Sequence, residues 1–204
     1  MTKKQISGND INIIMQVPIE ISARHIHLSK PDLEILFGPG FELTKFRDLS
    51  QTGQFASNEI VKLVGLKGEL DGVRILGPVR AKTQVEVSET EARHLGLTPP
   101  VRDSGNLDGT PGFKIVGPKG EVEIKSGVIL ALRHIHIDPE TASKIKVKNG
   151  DRVKVDTIGP RDLLFENVLV RVDPSFKLAM HIDTDEANAA GIDANNHLGK
   201  IIIK

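Results

Sequence analysis

Four of the seven histidines sit in two copies of one tetrapeptide, Arg-His-Ile-His, at 24–27 and 133–136. Residues two apart on a β-strand project from the same face. His25 and His27 therefore form one imidazole pair, and His134 and His136 form another. Two imidazoles on one face can chelate a borderline divalent metal. A third protein ligand then leaves one position open for water or substrate, the arrangement of catalytic zinc. A single His-x-His is more commonly a surface or hydrogen-bonded core feature. Its repetition, each time behind an arginine, favours metal binding.

The third ligands come from a second repeat. "VEVSETEARHLGL" (85–97) aligns with "MHIDTDEANAAGI" (180–192) at an offset of 95, whereas the two tetrapeptides are offset by 109. Each segment reads as a strand, a polar cap, a short acidic helix and a closing glycine, Gly96 or Gly191. In this register Glu86 stands where His181 does. The candidate metal sets are His25, His27 and Glu86 in the first half, and His134, His136 and His181 in the second. Nitrogen and oxygen donors make Zn²⁺ the first choice, although other divalent first-row metals take the same ligands. His94 and His197 fit neither set.

Three arginines stand near these residues. Arg24 and Arg133 alternate to the opposite strand face, as suited to structural ion pairs as to ligand contact. Arg80 lies six residues before Glu86 and shares its face if that strand is regular. A guanidinium there could hold a phosphate bidentately beside a metal. A solvated surface arginine accounts for the same spacing.

The elements that must position these groups are mostly strands. Short β-branched runs such as "EIVKLVG", "TQVEVS", "DRVKVDTI" and "NVLVRV" are punctuated by Gly, Pro, Asn and Asp, the pattern of barrels and sandwiches. Four segments read as short helices: 30–36, 89–95, 139–146 and 184–190. Ser29 and Asp138 are suitable N-caps, and Pro139 suits a first helical turn. The expectation is a mainly β chain of two related halves with short capping helices.

Composition narrows the function classes. Lys plus Arg equals Asp plus Glu at 27 each, and the only aromatics apart from histidine are seven Phe. A neutral chain with no Trp or Tyr is a poor nucleic-acid binder. No apolar run is long enough to span a membrane. The absence of cysteine removes disulfides and thiolate nucleophiles, in keeping with a cytoplasmic protein.

"VPIEISARHIHLS", "GPVRAKTQVEVS", "LALRHIHIDPETA…KNGDRVKV" and "MHIDTDEANAAG" together resemble the PduL-type phosphate propanoyltransferase (phosphotransacylase) family, in the family's order and over about residues 17–203. The resemblance implies an enzyme that exchanges an acyl group between coenzyme A and inorganic phosphate. It implies two β-barrel domains, with the active site and two zinc ions between them. The N-terminal strand would join the second barrel, giving domains of 24–131 and of 1–23 plus 132–204. One zinc would fall on His25, His27 and Glu86, its open position available to the CoA sulfur. The other would fall on His134, His136 and His181. Arg80 matches the family's phosphate-binding arginine, and Ser22, Arg47, Arg74, Leu76 and Asn188 match its coenzyme A contacts.

Two other classes compete. A zinc-dependent thioester or amide hydrolase would consume acyl-CoA without phosphate. A metal-stapled structural protein, for instance of a bacterial microcompartment, would bind metal but not coenzyme A. Some family members carry an amphipathic targeting helix at the N-terminus. Here Ile6, Ile11, Ile13, Ile14 and Met15 surround "SGND" without a sustained helical stripe. Self-association and microcompartment partners stay open.

Overall fold

The structure, a computed structural model, describes residues 13–159, 161–193 and 197–203. The question of N-terminal targeting therefore falls largely outside the described residues. In chain order, β1 (Ile13–Ile21) and β2 (His25–His27) lead into α1 (Lys30–Phe37). Next come β3 (Lys45–Asp48), β4 (Phe55–Val64), β5 (Glu69–Gly77), β6 (Gln84–Val87), α2 (Glu89–Leu95), β7 (Val101–Arg102), β8 (Phe113–Val116) and β9 (Glu121–Ile124). The second run is β10 (Val128–Ala131), β11 (His134–Ile137), α3 (Pro139–Lys144), β12 (Arg152–Thr157), β13 (Leu164–Val172), β14 (Ala179–Ile182), α4 (Thr184–Ala190) and β15 (His197–Ile203).

These strands form two barrel-like units, as expected of a mainly β chain. One is a closed six-stranded barrel, β1-β14-β11-β13-β12-β15; the other is a curled nine-stranded sheet running β7-β10-β6-β2-β5-β4-β8-β9, with β3 on β4. Their centres match strand for strand. β2 lies between parallel β5 and antiparallel β6, as β11 lies between parallel β13 and antiparallel β14.

The strand before each His-x-His pairs in the opposite unit from the one that follows it. β1 runs parallel to β14 of the closed barrel, and β10 runs parallel to β6 of the curled sheet. The chain thus crosses between units at residues 22–24 and again at 132–133, an exchange made once in each direction.

Period-2 alternation places the site. Ile26 of β2, Val85 and Val87 of β6, Ile135 and Ile137 of β11, and Met180 and Ile182 of β14 are all buried in the two cores. Each such side chain contributes about 1.5–3 kcal/mol on burial. Fixing these faces inward forces the intervening histidines and Glu86 onto the other face.

The helices cap the units. Ser88 and Asp183 form reciprocal capping boxes with Glu91 and Glu186. Gly96 and Gly191 then close α2 and α4 in left-handed conformation, at φ of 73° and 65°. Helix α3 ends at Lys144 rather than 146. Val147 donates back to the Ala142 carbonyl, and Lys146 takes the left-handed position at φ 58°. This is the closing turn that glycine makes elsewhere, and it buries Ile145 and Val147.

Candidate active site

A cavity of about 460 Å³ is lined by residues of both units, including all six candidate metal ligands, Arg80 and Arg171. Within each triad the nearest ligand atoms lie within 4.8 Å of one another. Cross-strand register brings the third ligand in. Glu86 faces His25 across β2 and β6, with Oε2 to Nε2 at 3.5 Å. His181 faces His134 at the same place across β11 and β14. His136 Nδ1 approaches His181 Nε2 to 3.1 Å.

Neighbouring groups orient these side chains. Nδ1 of His25, His27 and His134 lies against the carbonyls of Ala23, Leu76 and Leu132, at 2.9, 3.2 and 2.8 Å. Each ring then keeps Nε2 bare. A backbone or carboxylate partner on the second nitrogen is the usual support of a metal-binding imidazole. Buried Gln84 donates to Glu86 Oε1 at 2.7 Å and to Ser104 Oγ at 2.8 Å. The donor set, its spacing and its supports fit two divalent ions.

The electrostatics keep His27, His134, His136 and His181 neutral. Burial, then the His25 and Arg80 charges, holds His27 well below the usual imidazole range. Burial also depresses His134, with Arg171 adding to the effect. Burial and the neighbouring His181, His134 and Arg171 carry His136 down to about 2. His181 falls to about 3 through burial and the charges of His134, Arg171 and His25. Neutral imidazole is the form that binds metal.

Arg80 reaches the cavity by a different route from the one its spacing implies. Only Gln84–Val87 is strand there; Arg80 sits before a bend, in an isolated bridge to Ser29. Its guanidinium donates to Ser104 Oγ at 3.1 Å, and Glu86 opposes the lowering of its pKa by burial. Ser22, Arg47, Arg74 and Leu76 also line the cavity, whereas Asn188 lies exposed on α4, outside the lining. Arg24 and Arg133 are ion-paired to the capping-box residues Glu91 and Glu186, at 2.9 and 3.0 Å. His94 bonds the Glu69 carbonyl and His197 pairs with Asp193, away from both triads.

The sequence reading did not single out Arg171, Phe176, Glu20 or Gln51. Arg171 stands beside His136 in the β11–β13 register and pairs with Asp103 at 3.6 Å. Phe176 packs on the His136 ring at 4.1 Å. Gln51, almost wholly buried, clasps the backbone of Lys177 through both amide atoms. Arg171 carried a sequence signal, as the sole basic residue of the run "NVLVRV", and Glu20 another, as the sole charged residue of its strand.

Comparison with known proteins supplies the family. The phosphate propanoyltransferase family model matches residues 18–193. The chain belongs to the phosphate propanoyltransferase family. It is 52% identical over 179 residues to the phosphate propanoyltransferase of Thermotoga maritima, covering 87% of this chain and 85% of that one. Against the Salmonella typhimurium phosphate propanoyltransferase it is 50% identical over 187 residues, 91% and 89% of the two chains. The Lachnoclostridium phytofermentans phosphate propanoyltransferase is 54% identical over 177 residues, 86% and 83%. Membership places the chain among the acyltransferases, as its motifs implied. Among the described residues, no helix is long and apolar enough to cross a membrane.

Proposed function

We propose that this protein exchanges a short-chain acyl group, propionyl or acetyl, between coenzyme A and inorganic phosphate: acyl-CoA + phosphate gives acyl phosphate + CoA. The observation that carries the reading is one cavity holding two metal-ligand triads, with Arg80 and Arg171 among the arginines that line it. Cations and open metal positions facing one space suit a phosphate and a thioester brought together.

In this reading Arg80, held by Ser104, presents its guanidinium to phosphate and orients one oxygen toward the thioester carbonyl carbon. The new C–O bond forms, negative charge gathers on the carbonyl oxygen, and the C–S bond then breaks to release the CoA thiolate. Arg80 and Arg171 stabilise the gathering charge by fixed electrostatics. Zinc on His25, His27 and Glu86 and on His134, His136 and His181 would supply Lewis-acid polarisation and lower the thiol pKa from about 8.5. Ser22, Arg47, Arg74 and Leu76 would contact coenzyme A at the cavity wall. Asn188 would contact a part of coenzyme A that extends beyond it. The chain divides into 24–131 and 1–23 plus 132–204, meeting at the site.

Release of free thiol from propionyl-CoA and acetyl-CoA, with and without phosphate and a chelator, tests this. Phosphate-dependent, chelator-sensitive release with formation of acyl phosphate is expected. Release without phosphate would instead identify a hydrolase, and metal binding without any turnover would identify a structural protein.

A further inference from the structure

Glu20 breaks the symmetry between the two triads. It lies on β1, directly beside His181 in the parallel β1–β14 pairing. The equivalent residue 109 positions on is Ile129 of β10, beside Glu86, and it is fully buried. One unit thus places an apolar side chain next to its third ligand, and the other places a carboxylate there.

The contacts of that carboxylate are specific. Glu20 Oε2 lies 3.7 Å from His181 Nδ1 and accepts a 2.6 Å hydrogen bond from Ser50 Oγ. The other nitrogen of the ring, Nε2, is turned toward His136 within the triad. His181 therefore divides its nitrogens, one toward the ligand cluster and one toward Glu20. His25, His27 and His134 set Nδ1 against backbone carbonyls instead. The charge balance points the same way. The first triad contains a carboxylate among its ligand atoms; the second consists of three imidazoles, in a cavity that five arginines also line.

We infer that Glu20 is a positioning residue for the second metal-binding triad. Its negative charge, 3.7 Å from Nδ1, favours the His181 proton on that nitrogen, leaves Nε2 bare and turned into the cavity, and supplies the charge that three neutral imidazoles lack. Ser50, on the loop between β3 and β4 of the curled sheet, fixes the carboxylate in turn. The orientation of a ligand in the barrel is thereby tied to the opposite unit. This inference rests on the metal-dependent reading proposed above.

The test uses the full-length protein, stripped of metal and titrated with Co²⁺ against a competing chelator while the d–d absorption is followed. Wild type is expected to take up two ions per chain. Glu20→Ala is expected to weaken one of the two sites by about 10–100-fold and to change that site's absorption band, leaving the other as in wild type. Glu20→Gln, which keeps an acceptor oxygen but no charge, is expected to fall between them. In long-range ¹H–¹⁵N spectra the His181 proton should sit on Nδ1 in wild type and lose that preference in Glu20→Ala. Unchanged Co²⁺ affinity in both variants would overturn the inference. So would equal weakening of both sites with a lowered melting temperature, the mark of a merely structural residue. Failure of wild type itself to bind Co²⁺ would defeat the underlying metal reading instead.

Discussion

Glu86 faces His25 across the β2–β6 pairing at 3.5 Å, and its other oxygen is held by Gln84. The carboxylate is therefore aimed before any metal arrives. Glu86→Ala should leave two imidazoles, too few for a stable site, and metal content after dialysis should fall from about two ions per chain to about one. Elemental analysis checks this, with the second site as internal control.

Among the described residues the Arg80 guanidinium donates to Ser104 and hydrogen-bonds no candidate metal ligand. Arg80→Ala should lower phosphate-dependent turnover by about 10²–10³-fold, the usual effect of losing one fixed donor to developing charge. Metal content should be unaffected. Arg80→Lys should restore only part of the rate, because an ammonium lacks the bidentate fork. Initial rates against phosphate concentration separate the variants.

The depressed histidines give metal-free protein a definite acid sensitivity. Above pH 6.5 these imidazoles are neutral whether folded or unfolded, and stability is indifferent to them. As pH falls below 6.5 the unfolded chain takes up protons that the fold refuses, down to about 3 for His181 and about 2 for His136. Stability must fall through that window, by about 1.4 kcal/mol per pH unit for one such imidazole. Denaturant midpoints at pH 7 and pH 5 should differ for wild type. The difference should shrink, without vanishing, when His136 and His181 are both replaced by Gln, since His27 and His134 are depressed too.

Gln51, in the cavity lining, bridges two loops, accepting from the Lys177 N–H at 3.2 Å and donating to the Lys177 carbonyl at 3.1 Å. Gln51→Ala would leave both backbone groups without that partner, at a cost of about 1–3 kcal/mol. Hydrogen exchange should quicken over residues 173–178, which carry Phe176 against His136, while the barrel strands stay protected.

Much of the site was legible because chelation by His-x-His depends on a local period, and a period survives in sequence. The offset-95 alignment found Glu86 and His181 because strand, cap and helix were copied together, down to the closing Gly96 and Gly191. What escaped notice depends on register between distant strands. Glu20 matters only because β1 pairs with β14, and Arg171 only because β13 pairs with β11. The expectation for Arg80 rested on a continuous strand that bends after residue 80, yet the side chain still lines the cavity. Lys146 ends α3 where the pattern ran on to 146, since a left-handed lysine has no distinctive spelling.

The two-way strand exchange also sets an order of assembly during synthesis. The curled sheet draws its last strand, β10, from just before the second crossing, so all its strands exist once residue 131 has emerged. β1, made before any of them, finds its neighbours only in β14 and β15, the last strands to appear. Both edges of β1 must therefore wait, unpaired, through most of translation. The polar Gln16 and Glu20 and the donor-less Pro18 within that strand are the residues that discourage mispairing in the interval.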